Sequence, residues 1–232
     1  MIQGKRTEGM NIHLGGNNMQ TEQTMSDNKA MYRLSYGLFV LTVKEGDKLN
    51  GCITNTAIQA ASAPNQMVFC VNKENLTHEM LVATRCCNLS VISEAATFDL
   101  FKRFGYQSGR DADKFAGFAG YRVADNGIPV ITEGTNALFS LEIGRMLDLG
   151  SHTLFVGEPV MMQVLSDAPS ATYAYYQEHI KPRPEAVGRT PEGQTVWRCK
   201  ICGYEYVGEE LPEDFICPIC KHPASDFERA GS

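Results

Sequence analysis

The chain has 232 residues, 43% of them hydrophobic, with 21 basic against 27 acidic side chains and a net charge of -6. That length can bury one medium core and one small one, and an acidic balance with no basic stripe excludes nucleic acid as an expected partner. No apolar run approaches the roughly eighteen residues that a spanning helix needs, and the first residues lack an apolar signal core, so a cytoplasmic protein with no membrane partner is expected.

In chain order, residues 1–27 hold Gly, Asn, Gln and scattered Met without periodicity, and read as a disordered extension; Met25 offers an alternative start. From there to about residue 180 short strands dominate: Gly37 to Val43, Gly51 to Ala60, Gln66 to Val71, Asn88 to Ile92, Ala137 to Leu147 and Thr153 to Val164. The fold class is therefore mainly β with some α, a closed or nearly closed antiparallel barrel. Phe139, Leu141 and Ile143 alternate with Ser140, Glu142 and Gly144, which turns one set inward and the other to solvent. One helix is expected after Asn75, with Met80 and Leu81 at core spacing, and another from Thr97 to Phe104, stopped by Gly105.

Lys181 to Thr195 reads KPRPEAVGRTPEGQT, and its prolines and glycines forbid a sustained helix or central strand. Residues 181–195 are a linker between a domain over 28–180 and a small one over 196–232, reaching about 50 Å if extended and about 20 Å on average if flexible.

The small domain contains WRCKICGYEY and DFICPICKHP. Each presents two thiols three positions apart on a tight turn, so Cys199, Cys202, Cys217 and Cys220 form a tetrahedral metal site. Soft thiolates select zinc or iron over calcium or magnesium, and spacing alone leaves those two level. Gly203, after the second cysteine, can take the positive φ that turns backbone N–H groups toward sulfur. The other cysteines, Cys52, Cys70, Cys86 and Cys87, lack ligand spacing and read as small buried hydrophobes.

The run CGYEY, LPEDFICPIC and DFE resembles rubredoxin in more than its cysteines, with Trp197, Tyr204, Tyr206, Phe215 and Phe227 as the aromatic core and a short span between the knuckles like that of rubrerythrin-type modules. That resemblance implies one iron. The stretches NGCITNTAIQAASAPNQMVFCVNKENLTHEM, FGYQSGRDADKF and LGSHTLFVGEPV resemble the flavin reductase family, which implies an FMN-binding split barrel, NAD(P)H as co-substrate and a homodimer. Where that family carries a glycine, aspartate, histidine motif, this chain has Ser151 in place of the aspartate.

From the same resemblance, Thr54, Asn55 and Thr56 would meet the isoalloxazine edge, although a solvated strand end has the same composition. Asn72, Lys73, Asn75 and Thr77 lie before a helix, where N–H groups, a hydroxyl and a cation suit a phosphate; Asn75 and Thr77 can equally be caps, and His78 a surface residue. Lys114 would put positive charge near the flavin pyrimidine, against the plainer reading of a solvated lysine. His152 would contact the nicotinamide, against that of a histidine opening a strand.

The domain order resembles the high-molecular-weight rubredoxins of anaerobic bacteria. It implies an oxidoreductase passing electrons from NAD(P)H through FMN to iron, and on to a flavodiiron protein that consumes oxygen or nitric oxide, or to another redox acceptor. The rivals are a flavin reductase releasing reduced FMN with a structural zinc ribbon, and a non-enzymatic electron carrier.

Overall fold

The computed structural model describes residues 28–182, 193–200, 203–217 and 223–230. The extension expected over residues 1–27 and most of the proline-rich linker lie outside the described residues. The helical turn Asn28–Arg33 belongs to a unit separate from the one that begins at Ser35.

The barrel begins with a tight hairpin. Strand β1 (Phe39–Glu45) turns through Gly46 and Asp47 into β2 (Lys48–Thr54), with Glu45 opposite Lys48 and Gly46 at φ 57°, a conformation that costs glycine little. Next come β3 (Ile58–Ser62), β4 (Asn65–Asn72), helix α1 (Leu76–Thr84), β5 (Cys86–Ile92) and helix α2 (Phe98–Gly105). A short hairpin of β6 (Tyr121–Val123) and β7 (Pro129–Ile131) precedes the long pair β8 (Thr135–Asp148) and β9 (His152–Val164). Helix α3 (Tyr173–Tyr175) runs into a π-helical turn over Tyr176–Ile180.

Seven strands form one antiparallel sheet in the order β2-β1-β5-β8-β9-β4-β3. The sheet curls until the end of β2 meets β4. There Thr54 Oγ1 donates to the Cys70 carbonyl at 3.0 Å and the Cys70 N–H donates to Thr56 Oγ1 at 2.9 Å, so side chains close the barrel where no ladder does. This seam corrects the single strand expected over Gly51 to Ala60. The chain leaves β2 at Thr54 and re-enters a strand at Ile58, because the intervening residues cross to β4.

Period-2 alternation sends the two faces of β1 to different cores. Leu41 and Val43 meet Phe69, Leu89, Leu141 and Phe155 inside the barrel, where Met80 and Leu81 of α1 also pack. Val40 meets Leu100, Phe101 and Phe104 of α2 outside it. The alternation expected along β8 holds for Leu141 and Ile143, buried inside, and for exposed Glu142 and Gly144. Ser140 departs from it: at 3% exposure it is buried, as is Leu138, because the β6–β7 hairpin lays Ala124 and Val130 over that part of the outer face.

The small domain is a three-stranded sheet, β11-β10-β12, of β10 (Val196–Cys199), β11 (Glu205–Val207) and β12 (Phe227–Arg229). Its core gathers Trp197, Tyr204, Tyr206, Phe215 and Phe227 around Cys199 and Cys217. Thr195, counted with the linker in the sequence reading, is buried, and its carbonyl accepts from the Gly208 N–H.

Candidate functional site

Sheet register builds one rim of the barrel. The pairing of β4 with β9 sets Asn72 opposite His152, and the Lys73 N–H donates to the Ser151 carbonyl at 3.0 Å, so the start of β9 stands beside the exit of β4. The Thr54–Cys70 seam brings the end of β2 to the same place. Thr54, Asn55, Thr56, Asn72, Asn75 and His152 thus line one small cavity of about 110 Å³, although His152 lies some eighty to a hundred positions from the others in sequence. His152 Nδ1 is 2.9 Å from Ser151 Oγ, the residue that stands in place of the motif's aspartate.

A larger cavity of about 380 Å³ shares Ile53 and Asn75 with it. Its walls are Asn50 and Cys52 of β2, the N-terminus of α1 from Glu74 to Thr77, the end of α2 with the loop through Gly109 and Asp111, and Lys114. This volume falls within the range of small-molecule sites. Of the expected phosphate residues, Asn75 and Thr77 line it. Lys73 does not: its Nζ donates to Asp148 Oδ1 at 2.6 Å, a pairing that holds the aspartate's carboxyl below the usual range with help from the Gly150 N–H. His78 is also turned elsewhere, with Nε2 2.8 Å from Thr153 Oγ1, and its pKa is lowered by burial and by the nearby Lys73 charge.

The N-terminus of α1 is open. Asn75 occupies the cap position with extended backbone and no side-chain capping bond, and among the described residues the N–H groups of Leu76 and Thr77 find no acceptor. Unsatisfied N–H groups at a helix start favour an anion. Lys114 adds a cation. At 4% exposure it is not the solvated lysine of the plainer reading: Nζ donates to the carbonyls of Gly51 at 2.8 Å and Phe104 at 3.2 Å, and among the described residues no carboxylate is a hydrogen-bond partner. Arg103 delivers it there by donating to the Lys114 and Ala116 carbonyls from α2. Burial lowers the Lys114 pKa, and the adjacent Cys52 thiol opposes that shift.

Cys52 is buried, as its sequence context predicts, and it also lines the cavity; burial raises its thiol pKa, against lowering by Lys114, Thr77 and Asn75. Asn50 and the segment Tyr106 to Gly109 were also missed as individual residues. Their signal was present in the stretches NGCITNT and FGYQSGRDADKF, from which only Thr54, Asn55, Thr56 and Lys114 were drawn. A ring system with a phosphate fits this donor set: two free N–H groups, the Thr77 hydroxyl, side-chain amides and a buried ammonium.

In the small domain, Cys199 and Cys217 are buried at 1% and 0% exposure, and Cys202 and Cys220 lie outside the described residues. The Gly203 N–H donates to the Cys199 carbonyl at 2.9 Å with Gly203 at φ 79°, the left-handed conformation expected from the sequence. Two thiols in one aromatic core suit a soft cation.

Residues 31–183 match the family model of the flavin reductase like domain, and residues 197–228 that of the rubrerythrin, rubredoxin-like domain. The chain is 34% identical over 228 residues to the high molecular weight rubredoxin of Moorella thermoacetica, a match covering 88% of this chain and 99% of that one. The chain belongs to the high-molecular-weight rubredoxins. Like the family, it is an oxidoreductase whose two domains serve flavin and iron. A ferric-chelate reductase (NAD(P)H) of Archaeoglobus fulgidus is 35% identical over 171 residues, covering 74% of this chain and 97% of the relative. The barrel fold recurs in the NADH:FAD oxidoreductase of Streptomyces globisporus, solved with NAD and FAD fragments, at TM-score 0.56 and 23% identity over 62% of this chain and 84% of that one. No helix among the described residues is long and apolar enough to cross a membrane.

Proposed function

We propose that this chain takes reducing equivalents from NAD(P)H onto FMN in the larger cavity. It then delivers them one at a time, through iron on Cys199, Cys202, Cys217 and Cys220, to a redox protein such as a flavodiiron oxygen or nitric oxide reductase. The observation that carries the reading is the buried ammonium of Lys114, bonded to two backbone carbonyls, lining the same cavity as an uncapped helix N-terminus. Two positive features in one enclosure favour a ligand that is anionic at one end and becomes more electron-rich on reduction. FMN supplies two-electron acceptance with one-electron release, and four-thiolate iron a one-electron change without ligand exchange.

The chain's own residues bind and orient. Asn75, Thr77 and the Leu76 and Thr77 N–H groups hold the phosphate, Asn72 supports them from the rim, and Lys73 stays with Asp148. Lys114 supplies positive charge toward the ring. Thr54, Asn55 and Thr56 meet the ring edge, and His152, steadied by Ser151, faces the nicotinamide from the smaller cavity. No side chain has to act as acid, base or nucleophile, because the redox chemistry belongs to the cofactors.

Two surface features support the expected partners. Val160, Met162 and Val164 of β9 are 56%, 57% and 73% exposed, an apolar row that suits a homodimer. From Thr195 onward there are 4 basic and 7 acidic residues, a net charge of -3 that favours a basic patch on the acceptor.

Anaerobic addition of NADH, with metal analysis of the same sample, tests the reading. Bleaching of both the flavin and the ferric-thiolate bands is expected. Zinc in place of iron would leave a flavin reductase with a structural ribbon. Bands that respond to dithionite and not to NADH or NADPH would make the protein a carrier reduced by a partner.

A further inference from the structure

Asn50 joins three walls of the larger cavity. It lies on β2 at 2% exposure, and its Nδ2 donates to Thr77 Oγ1 of α1 at 3.2 Å. The loop after α2 presses against it from the other side, so closely that a Cβ on Gly109 would overlap the Asn50 amide. Thr77 itself is 1% exposed.

The direction of that hydrogen bond matters. A threonine hydroxyl carries one hydrogen and accepts through two lone pairs. With Asn50 donating to the oxygen, the Thr77 hydrogen is turned away from Asn50. It reaches no oxygen acceptor among the described residues, which leaves the neighbouring Cys52 sulfur, a poor acceptor as a thiol, and whatever occupies the cavity. The hydroxyl is thereby a committed donor beside the open N–H groups of Leu76 and Thr77.

We propose that Asn50 is a positioning residue for anion recognition: by donating to Thr77 it fixes that hydroxyl as a donor to the flavin phosphate, and so sets the preference of the cavity for phosphorylated flavin. The inference rests on the reading that this cavity holds FMN, and it adds the residue that enforces the polarity of the phosphate site. Aspartate at this position is nearly isosteric and has the opposite sense. Its carboxylate accepts the Thr77 hydrogen and sets negative charge against a phosphate that carries close to two charges.

The test titrates flavin-stripped, full-length protein with FMN and with riboflavin, which has the same ring and no phosphate, by quenching of flavin fluorescence. Wild type is expected to hold FMN more tightly than riboflavin. Asn50→Asp lowers FMN affinity by about tenfold or more, the scale of a charge-assisted hydrogen bond, and leaves riboflavin affinity unchanged. Asn50→Ala produces a smaller loss, also confined to FMN, and that loss disappears in a Thr77→Ala background, as it must if Asn50 acts through the hydroxyl. Riboflavin affinity also reports whether each variant keeps its cavity. Equal losses of FMN and riboflavin, or an Asn50→Ala effect undiminished without the Thr77 hydroxyl, overturn the positioning role while the FMN reading stands. A wild-type protein that binds both flavins equally, or neither, overturns the phosphate reading and this inference with it.

Discussion

Replacing Lys114 with methionine separates the stability of the barrel from its chemistry. The ammonium donates to Gly51 at 2.8 Å and to Phe104 at 3.2 Å from a site 4% exposed. Hydrogen bonds from a charged donor contribute about 1.5–3 kcal/mol each. Against them stands the cost of keeping an ion out of water with no carboxylate bonded to it, several kcal/mol after relaxation. The opposing effects are of similar size, so methionine, close in volume, is expected to change apoprotein stability by no more than about 2 kcal/mol. The pH dependence has a definite sign. Burial places the folded-state pKa of Lys114 below that of an unfolded lysine. Between the two values the unfolded chain binds the extra proton, so stability rises with pH across that window; below it the full penalty is present, and above the unfolded value it is gone. Subtracting the Lys114→Met profile from wild type isolates this rise. Urea unfolding of flavin-free protein from neutrality to beyond the ordinary lysine range measures both effects, and NADH turnover with an artificial acceptor measures the third. Turnover is expected to fall about tenfold or more, since a preorganised charge facing developing negative charge is removed. A variant that lost more than about 4 kcal/mol at neutral pH while turning over normally would refute the reasoning, because Lys114 would then be a structural strut.

Cys199→Ser removes one thiolate from the buried knuckle; metal analysis and the visible spectrum should show iron absorbance lost while NADH still bleaches the flavin. Gly109→Ala drives a methyl into the Asn50 amide, and fluorescence titration is expected to show FMN weakened more than riboflavin, with overpacking costing about 1–3 kcal/mol in urea unfolding. Phe155, 0% exposed and stacked on Phe69 at a centroid distance of 5.5 Å, is a core residue with no part in binding; Phe155→Ala should cost about 3–5 kcal/mol, and a loss below about 1 kcal/mol would mean that the barrel interior is not packed as described. Stopped-flow transfer to a basic acceptor protein should slow as salt is added, whereas flavin reduction by NADH should change little; a salt-independent transfer step would remove the acidic surface from the account.

Much of the architecture was legible because its signals are local. The two CxxC pairs stand within four residues each, and Gly203 adopts the positive φ expected of its place after Cys202. Strands β1, β4, β8 and β9 and both barrel helices follow periodicity and stop signals that a short window contains. The errors fell where a distant segment changed a local meaning. Ser140 is polar at an outward position and would face water but for a hairpin that covers it, and the stretch from Gly51 to Ala60 breaks in order to tie Thr54 and Thr56 to β4.

The sequence by itself determined the two CxxC pairs, the strand-rich barrel and the stretches in which the candidate site residues lie, since residue type, spacing and alternation are properties of neighbours along the chain. Tertiary structure alone decided which of those residues meet. His152 joins Asn72 through strand register, Lys73 turns to Asp148, and Lys114 is drawn out of water between two carbonyls. Asn50 and Cys52 become cavity walls for the same reason: burial and hydrogen bonding depend on what the fold brings from far along the chain, and no local window contains the partner.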